Sequence, residues 1–326
     1  ITGCPRYDFC AEPYRTTLPK VLKGEKFILI NTTFPVGNPK FTQSSQFEEQ
    51  AMINMGYEEK FAQDYTKDSI TACKKMIEVI SDICMTFPQI KFILRPHPFE
   101  SPEPYKKLQS YLNFEVHQEG SVIPWLNSCE ALLHLNCQTA IEAIMVNKEP
   151  ISIEWINTSN LKSQAPPEVV SHTPKNSSEL KTLINKVVSR KTLSPNKSLI
   201  KSRNELIKSR LLSNDGNSSF RVSIAISELL EVKIKKEHIK CNINLKQILR
   251  EIFGYDLFHK ARKIIQGNKS DFRRAEKSFS SPDVMNIIER LNNTNENKSL
   301  IKVSPIKITE LDIPKLFSNQ AIKITR

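Results

Sequence analysis

Residues 91–100 read KFILRPHPFE. An apolar run, Phe92-Ile93-Leu94, is followed at once by Arg95, Pro96, His97 and Pro98. A run this short, closed by a proline-rich turn, reads as a buried strand. Each proline fixes its own φ and restricts the residue before it, so Arg95 and His97 leave the strand on a stiff turn. Similar runs stand at Lys26–Asn31 (KFILIN), Phe114–His117, Ala131–Leu135 (ALLHL) and Pro150–Glu154 (PISIE). Helical spacing separates them. In Asp68–Phe87, Ile70, Cys73, Ile77, Ile80, Ile83 and Cys84 share one face. Pro104–Leu112, Val122–Ser128 and Thr139–Val146 also read as helices. Short apolar strands joined by helices predict an α/β fold, a Rossmann-like parallel sheet with helices on both faces. Glu179–Ser189, Lys197–Leu211 and Ser218–Val232 are expected to close it, with Ser218 as an N-cap. The expected organisation is an interdomain segment at 1–24, a nucleotide-binding domain at 25–232 and a basic, partly helical extension at 233–326.

The 326 residues are 39% apolar and 25% charged, a globular composition. Seven scattered cysteines with no CxxC pair predict reduced thiols rather than a disulfide framework. No apolar run approaches bilayer length and no signal peptide is visible, so a cytoplasmic location is expected. The sequence opens at Ile1 without a methionine, and we read it as a piece of a longer protein. Net charge is +12, and residues 233–326 hold 20 Lys+Arg against 10 Asp+Glu, a surplus of +10. Such a tail attracts anionic partners, although a solvated lysine-rich surface explains it equally well. It lacks aromatic interleaving, so no nucleic-acid partner is expected.

In open parallel sheets, ligands bind at the carboxyl ends of the strands. Arg95 and His97 lie there, a cation and an imidazole suited to a phosphate oxygen. The stretch HLNCQT (134–139) runs from the fourth strand into a helix. It places Asn136, Cys137, Gln138 and Thr139 at a helix start, where free N–H groups favour an anion. Glu142 follows one turn later, where a carboxylate can accept from ribose hydroxyls. The plainer readings are a backbone-bonded His97, a capping Thr139 and a Glu142 that complements the helix dipole. GxGxxG and P-loop patterns are absent, which argues against dinucleotide enzymes and P-loop NTPases. Six dispersed histidines without HxxxH or HExxH predict no metal site, and no GxSxG elbow appears. Trp125 and Trp155 read as core.

With these residues placed, the sequence resembles the bacterial surface carbohydrate biosynthesis proteins, GT-B-type glycosyltransferases or relatives of them. The matching stretches are TGCPRYD at 2–8, FILINTTFPVGNP at 27–39, FILRPHPFE at 92–100, SVIPWLNSCEALLHLNCQTAIEA at 121–143 and KEPISIEW at 148–155, with a weaker piece at 275–291. His97-Pro98 is similar to the HP motif of bacterial sialyltransferases and Kdo transferases, where the histidine meets the phosphate of CMP. Gln138-Thr139 matches their Ser/Thr-containing helix start, and CDP-glycerol polymerases share a similar layout. Family members carry glycine around positions 136–140, where this sequence has Asn136 and Ala140.

The resemblance implies the C-terminal half of a GT-B fold, binding a CMP- or CDP-linked sugar donor and serving lipopolysaccharide or capsule synthesis. Ser121 and Val122 would face the base through backbone groups. Arg95 and His97 would neutralise the departing phosphate. No cofactor or metal is expected, since the nucleotide-sugar is a substrate. The implied partners are that donor, a glycan or lipid-linked glycan acceptor, and the anionic inner face of the cell membrane, met by the basic tail. The general base would belong to an N-terminal acceptor domain, so no catalytic residue is assigned. The competing reading is a non-catalytic nucleotide-binding or assembly module.

Overall fold

The structure is a computed structural model that describes residues 2–12, 14–158, 161, 166–189, 191, 193–231, 288–289, 302–305 and 322–325. It divides into two units, residues 1–225 and 226–326.

In the first unit, β1 (Phe27–Asn31), β2 (Lys91–Arg95), β3 (Phe114–Val116), β4 (Ala131–His134) and β5 (Glu149–Ser152) form one sheet in the order β3-β2-β1-β4-β5. Every neighbouring pair is parallel. The helices are α1 (Ser45–Asn54), α2 (Glu59–Thr86), α3 (Ile123–Ser128), α4 (Thr139–Met145), α5 (Pro166–Val169), α6 (Ser177–Val188), α7 (Lys197–Leu206) and α8 (Ser218–Glu231). Both faces of the sheet are covered, which explains why its strands read as unbroken apolar runs. Side chains alternate across it. Ile28, Ile30, Phe92, Leu94 and Leu133 join the core beneath α2 and α6. Phe27, Leu29, Ile93 and Leu132 join the other core, beneath α3 and α4.

The expected Rossmann-like sheet is present, with strand ends within two residues of the sequence reading. The helices differ more. α1 occupies a stretch to which the sequence assigned no element, because it buries only Ser45 and carries no apolar stripe. α2 begins at Glu59 rather than Asp68, since its first turns bury only Ala62 and Thr66. Glu103–Ser110 is a 3-10 helix rather than an α-helix. Lys197–Leu211 is α-helical only to Leu206 and closes in a π turn at Ile207–Leu211.

Ser218 begins α8, but the cap comes from Asp8, 210 residues away. Its Oδ1 accepts from the Ser218 N–H at 3.0 Å, and its Oδ2 accepts from the Ser219 N–H and Oγ at 2.7 Å each. A carboxylate at a helix N-terminus satisfies orphan N–H groups and complements the dipole. Gly3 makes the approach possible. Its φ is +82°, and a Cβ there would lie 2.5 Å from Ser218 Oγ. The TGCPRYD stretch therefore holds the last helix of the unit in place.

In the second unit, β6 (Lys302–Pro305) pairs antiparallel with β7 (Ile322–Thr325). The helices expected at 244–264 and 282–291, with Ile248, Leu249, Ile252 and Phe253, fall outside the described residues apart from the helical pair 288–289.

Candidate functional site

The strand order reverses between β1 and β4, and the crevice outside their carboxyl ends is where such sheets bind ligands. β1 ends at Asn31, whose Nδ2 donates to Thr139 Oγ1 at 2.9 Å. Thr139 Oγ1 in turn donates to Cys137 Sγ at 3.0 Å. Thr139 is thus the first residue of α4 rather than its cap, and Gln138 precedes it without a side-chain cap bond. Thr33 Oγ1 donates to the Leu135 carbonyl at 2.8 Å and draws the two strand ends together.

Asn136 sits at φ +50°, the left-handed conformation that favours glycine and that asparagine tolerates. The absence of glycine at 136–140 therefore does not prevent the turn. Asn136 Nδ2 donates to the Leu161 carbonyl at 2.8 Å. Glu142 is buried, and its Oε1 accepts from Arg6 Nε at 3.0 Å and Nη2 at 2.9 Å. The Arg6 side chain is 59% exposed, so its guanidinium is pinned at the crevice with donors left for solvent or ligand. Burial raises the Glu142 carboxyl, and Arg6 opposes that shift.

Three buried acceptor atoms at these strand ends have no hydrogen-bond partner: Asn31 Oδ1, Asn136 Oδ1 and Glu142 Oε2. Beyond β5, Ser152 Oγ and both oxygens of Glu168 are sealed from solvent and close to one another without forming a well-aligned hydrogen bond. Burial pushes Glu168 up to about 7, against the nearby Ser152 hydroxyl and Asn136 N–H, which favour its ionised form.

The end of β2 is built differently. Arg95 is buried and donates to the carbonyls of Glu119 at 2.9 Å and Gly120 at 2.7 Å, with its guanidinium 5.2 Å from the Trp125 ring centre. Burial lowers it to about 10. Arg95 thus shapes the loop that presents Ser121 and Val122. Ser121 Oγ accepts from the Ile123 N–H at 3.3 Å, and Val122 precedes α3. His97 Nδ1 accepts from the Phe99 N–H at 3.2 Å, which leaves the proton of a neutral ring on Nε2. Burial lowers the His97 pKa, so the ring is a neutral N–H donor at pH 7.

The final residue of the opening stretch, Glu100, is fully buried. Its Oε2 accepts from Thr32 Oγ1 at 2.8 Å and the Phe34 N–H at 3.1 Å, and its Oε1 from the Tyr105 hydroxyl. It locks the turn after β2 to the loop after β1. His134 is also satisfied. Its Nδ1 accepts from the Cys137 N–H at 3.4 Å, and Nε2 pairs with Ser171 Oγ at 2.7 Å.

Arg6, Asn31, Glu100 and Glu168 escape sequence reasoning as site groups. Arg6, Asn31 and Glu100 lie inside stretches that the resemblance singles out, which was the available signal; Glu168 carries none. Among the described residues no cluster of His, Cys, Asp or Glu suits a metal ion, and no helix is long and apolar enough to cross a membrane.

The strand order and the helices on both faces define a Rossmann-like parallel α/β unit. No family model matches the chain, and no curated protein matches it. Solved structures show a distant likeness. The UDP-GlcNAc 2-epimerase of Methanocaldococcus jannaschii, in complex with UDP-GlcNAc and UDP, aligns at TM-score 0.40 and 13% identity over 70% of this chain and 54% of that one. TarM aligns at TM-score 0.34 and 9% identity, covering 64% of this chain and 36% of that one. KpsC of Thermosulfurimonas dismutans, a beta Kdo 2,4 transferase, aligns at 0.24 and 13% identity, covering 45% and 43%. The chain spans about half the length of the epimerases it matches. At these scores the fold assignment rests on the strand order itself.

Proposed function

We propose that the crevice between β1 and β4 binds the ribose and phosphate of a nucleotide-activated sugar, CMP- or CDP-linked. In this reading the chain is the nucleotide-binding half of a GT-B-type glycosyltransferase of bacterial surface polysaccharide biosynthesis. The supporting observation is the pair of N–H donors presented at the strand ends, the exposed Arg6 guanidinium held on Glu142 and the neutral His97 ring with its proton on Nε2. Both call for an anion, and the phosphate of a nucleotide supplies one.

In glycosyl transfer the bond from the sugar's anomeric carbon to the phosphate oxygen breaks, and its electron pair leaves on the nucleotide. Arg6 and His97 would stabilise that charge by positioned N–H donors. Arg95 would act one step back, by holding the loop of Ser121 and Val122. The acceptor hydroxyl surrenders its proton to a base that these residues do not supply.

Calorimetry with CMP, CDP, UDP and GDP tests the reading. A cytidine nucleotide is expected to bind tightest, and His97→Ala to weaken it by about tenfold or more, the loss of a hydrogen bond to a charged group. Binding of none of the four overturns the proposal, and unchanged affinity in His97→Ala removes His97 from it. The basic residues 233–326 are proposed to meet an anionic leaflet, at about 1 kcal/mol per Lys or Arg near the surface. Sedimentation with anionic vesicles should then weaken as salt rises.

A further inference from the structure

The stretch Thr2–Asp8 is fastened on two sides. On one side, Arg6 donates to Glu142 of α4, from Nε at 3.0 Å and from Nη2 at 2.9 Å. On the other, Asp8 caps α8 through hydrogen bonds from Ser218 and Ser219. Two further contacts hold that second side. The Thr2 carbonyl accepts from Arg221 Nε at 2.8 Å. Gly3 lies so close that a Cβ there would meet Ser218 Oγ at 2.5 Å and the Leu211 carbonyl at 2.8 Å. The loop before α8 also reaches back to α4, since Asn214 Nδ2 donates to the Met145 carbonyl at 2.8 Å.

Little slack separates the two sides. Arg6 and Asp8 belong to one 3-10 turn, Pro5–Cys10, and Pro5 fixes its own φ. The Tyr7 N–H donates to the Cys4 carbonyl at 3.0 Å, and the Ala11 N–H to the Asp8 carbonyl at 3.1 Å. Cys10, at the end of the turn, is fully buried in the core beneath α3 and α4. A turn held in this way moves as one piece, so a shift of Asp8 carries the Arg6 backbone with it. The Arg6 side chain is well exposed, so its aim depends on Glu142 and on where the turn places its backbone.

We propose that residues 2–8 couple the crevice to the start of α8, with Asp8 as a positioning residue for Arg6. The proposal rests on the reading of Arg6 as a donor to nucleotide phosphate. A turn anchored on both sides has less freedom to lose when Arg6 meets a phosphate, so the clamp on α8 lowers the entropic cost of binding. Such coupling is reciprocal. A phosphate that fixes Arg6 also steadies Asp8, and through it the Ser218 and Ser219 N–H groups.

Hydrogen–deuterium exchange on the full chain tests it in two arms. Ser219→Pro removes both donors that Ser219 offers Asp8, while proline is tolerated in the first turn of a helix. The substitution touches neither Arg6 nor the crevice. In the first arm, without nucleotide, it is expected to speed exchange across residues 4–11 by about fivefold or more, the low end of coupling between sites. Unchanged exchange there overturns the proposal, whatever the crevice binds. In the second arm, saturating CDP should slow exchange at 218–222 in the wild-type chain and not in Arg6→Ala. CDP affinity, measured by calorimetry, should fall by about fivefold in Ser219→Pro. Equal CDP affinity in that variant overturns the proposal, as does slowing at 218–222 that persists in Arg6→Ala. If CDP does not bind the wild-type chain, the nucleotide reading falls and the first arm decides the coupling alone. If Ser219→Pro does not fold, Asp8→Asn takes its place in both arms with the same outcomes.

Discussion

Two strand ends of the same sheet treat buried polar groups in opposite ways. In the turn after β2, Glu100 is fully buried and three donors meet its carboxylate. Beyond β4 and β5, Glu142 is nearly as buried yet leaves one oxygen unpartnered, and Glu168 leaves two. An unmade bond on a buried polar atom costs free energy, so native chains seldom keep one without a reason. Glu100 is a structural pin whose partners the chain itself provides. Glu142 and Glu168 keep acceptor sites that the chain itself leaves without a well-formed hydrogen bond. The difference suggests which carboxylates to disturb for stability.

Acid is expected to act most strongly, through a group of the satisfied kind. His134 is completely buried, and burial lowers it to about 3 from an ordinary 6.5. The unfolded chain therefore binds the proton that the folded chain refuses. Stability is fully present above about 6.5 and falls as pH drops towards 3. Urea unfolding at a series of pH values should show this slope, and His134→Gln should flatten it. An equal slope in that variant would assign the acid sensitivity elsewhere.

Glu100→Ala comes next. It strands the Thr32 hydroxyl, the Phe34 N–H and the Tyr105 hydroxyl in the core, at an expected cost of about 3 kcal/mol in urea unfolding. A loss below about 1 kcal/mol would break the contrast, because an orphaned partner by itself costs about that much.

Arg6→Ala should separate binding from stability. The variant leaves the buried Glu142 without its partner, so the fold should lose about 1–2 kcal/mol, less than Glu100→Ala loses. Nucleotide affinity should fall by about tenfold or more, as befits a lost charged hydrogen bond. Equal affinity with a large drop in melting temperature would make Arg6 a structural residue like Glu100.

The smallest effect is expected at Glu168. Its folded pKa is raised from 4.5 to about 7, so the folded chain holds a proton that the unfolded chain releases. That contribution is present below about 4.5 and lost as pH rises through 7. Glu168→Gln should therefore raise the melting temperature at pH 8 and change it little at pH 4. A stabilisation independent of pH would point to packing rather than charge.

Much of this could be read from the sequence, for a physical reason. Strands buried on both faces must be apolar throughout, so Phe27–Ile30, Phe92–Leu94 and Ala131–Leu133 declare themselves. Prolines at 96 and 98 mark where β2 must end, and with it the side of the sheet where a ligand belongs. Helix α1 and the first turns of α2 bury too little to leave a periodic trace, so their spacing was silent. The sequence by itself thus determined the sheet, its covered faces and the stretches that form the crevice. Only the tertiary structure decided which groups there are occupied. Asp8 caps a helix 210 residues on, Arg95 turns to two backbone carbonyls, and Arg6 stands 136 residues from the Glu142 it pins. Hydrogen bonds are short and directional, so partners so distant along the chain leave no local pattern and meet only once the sheet has formed.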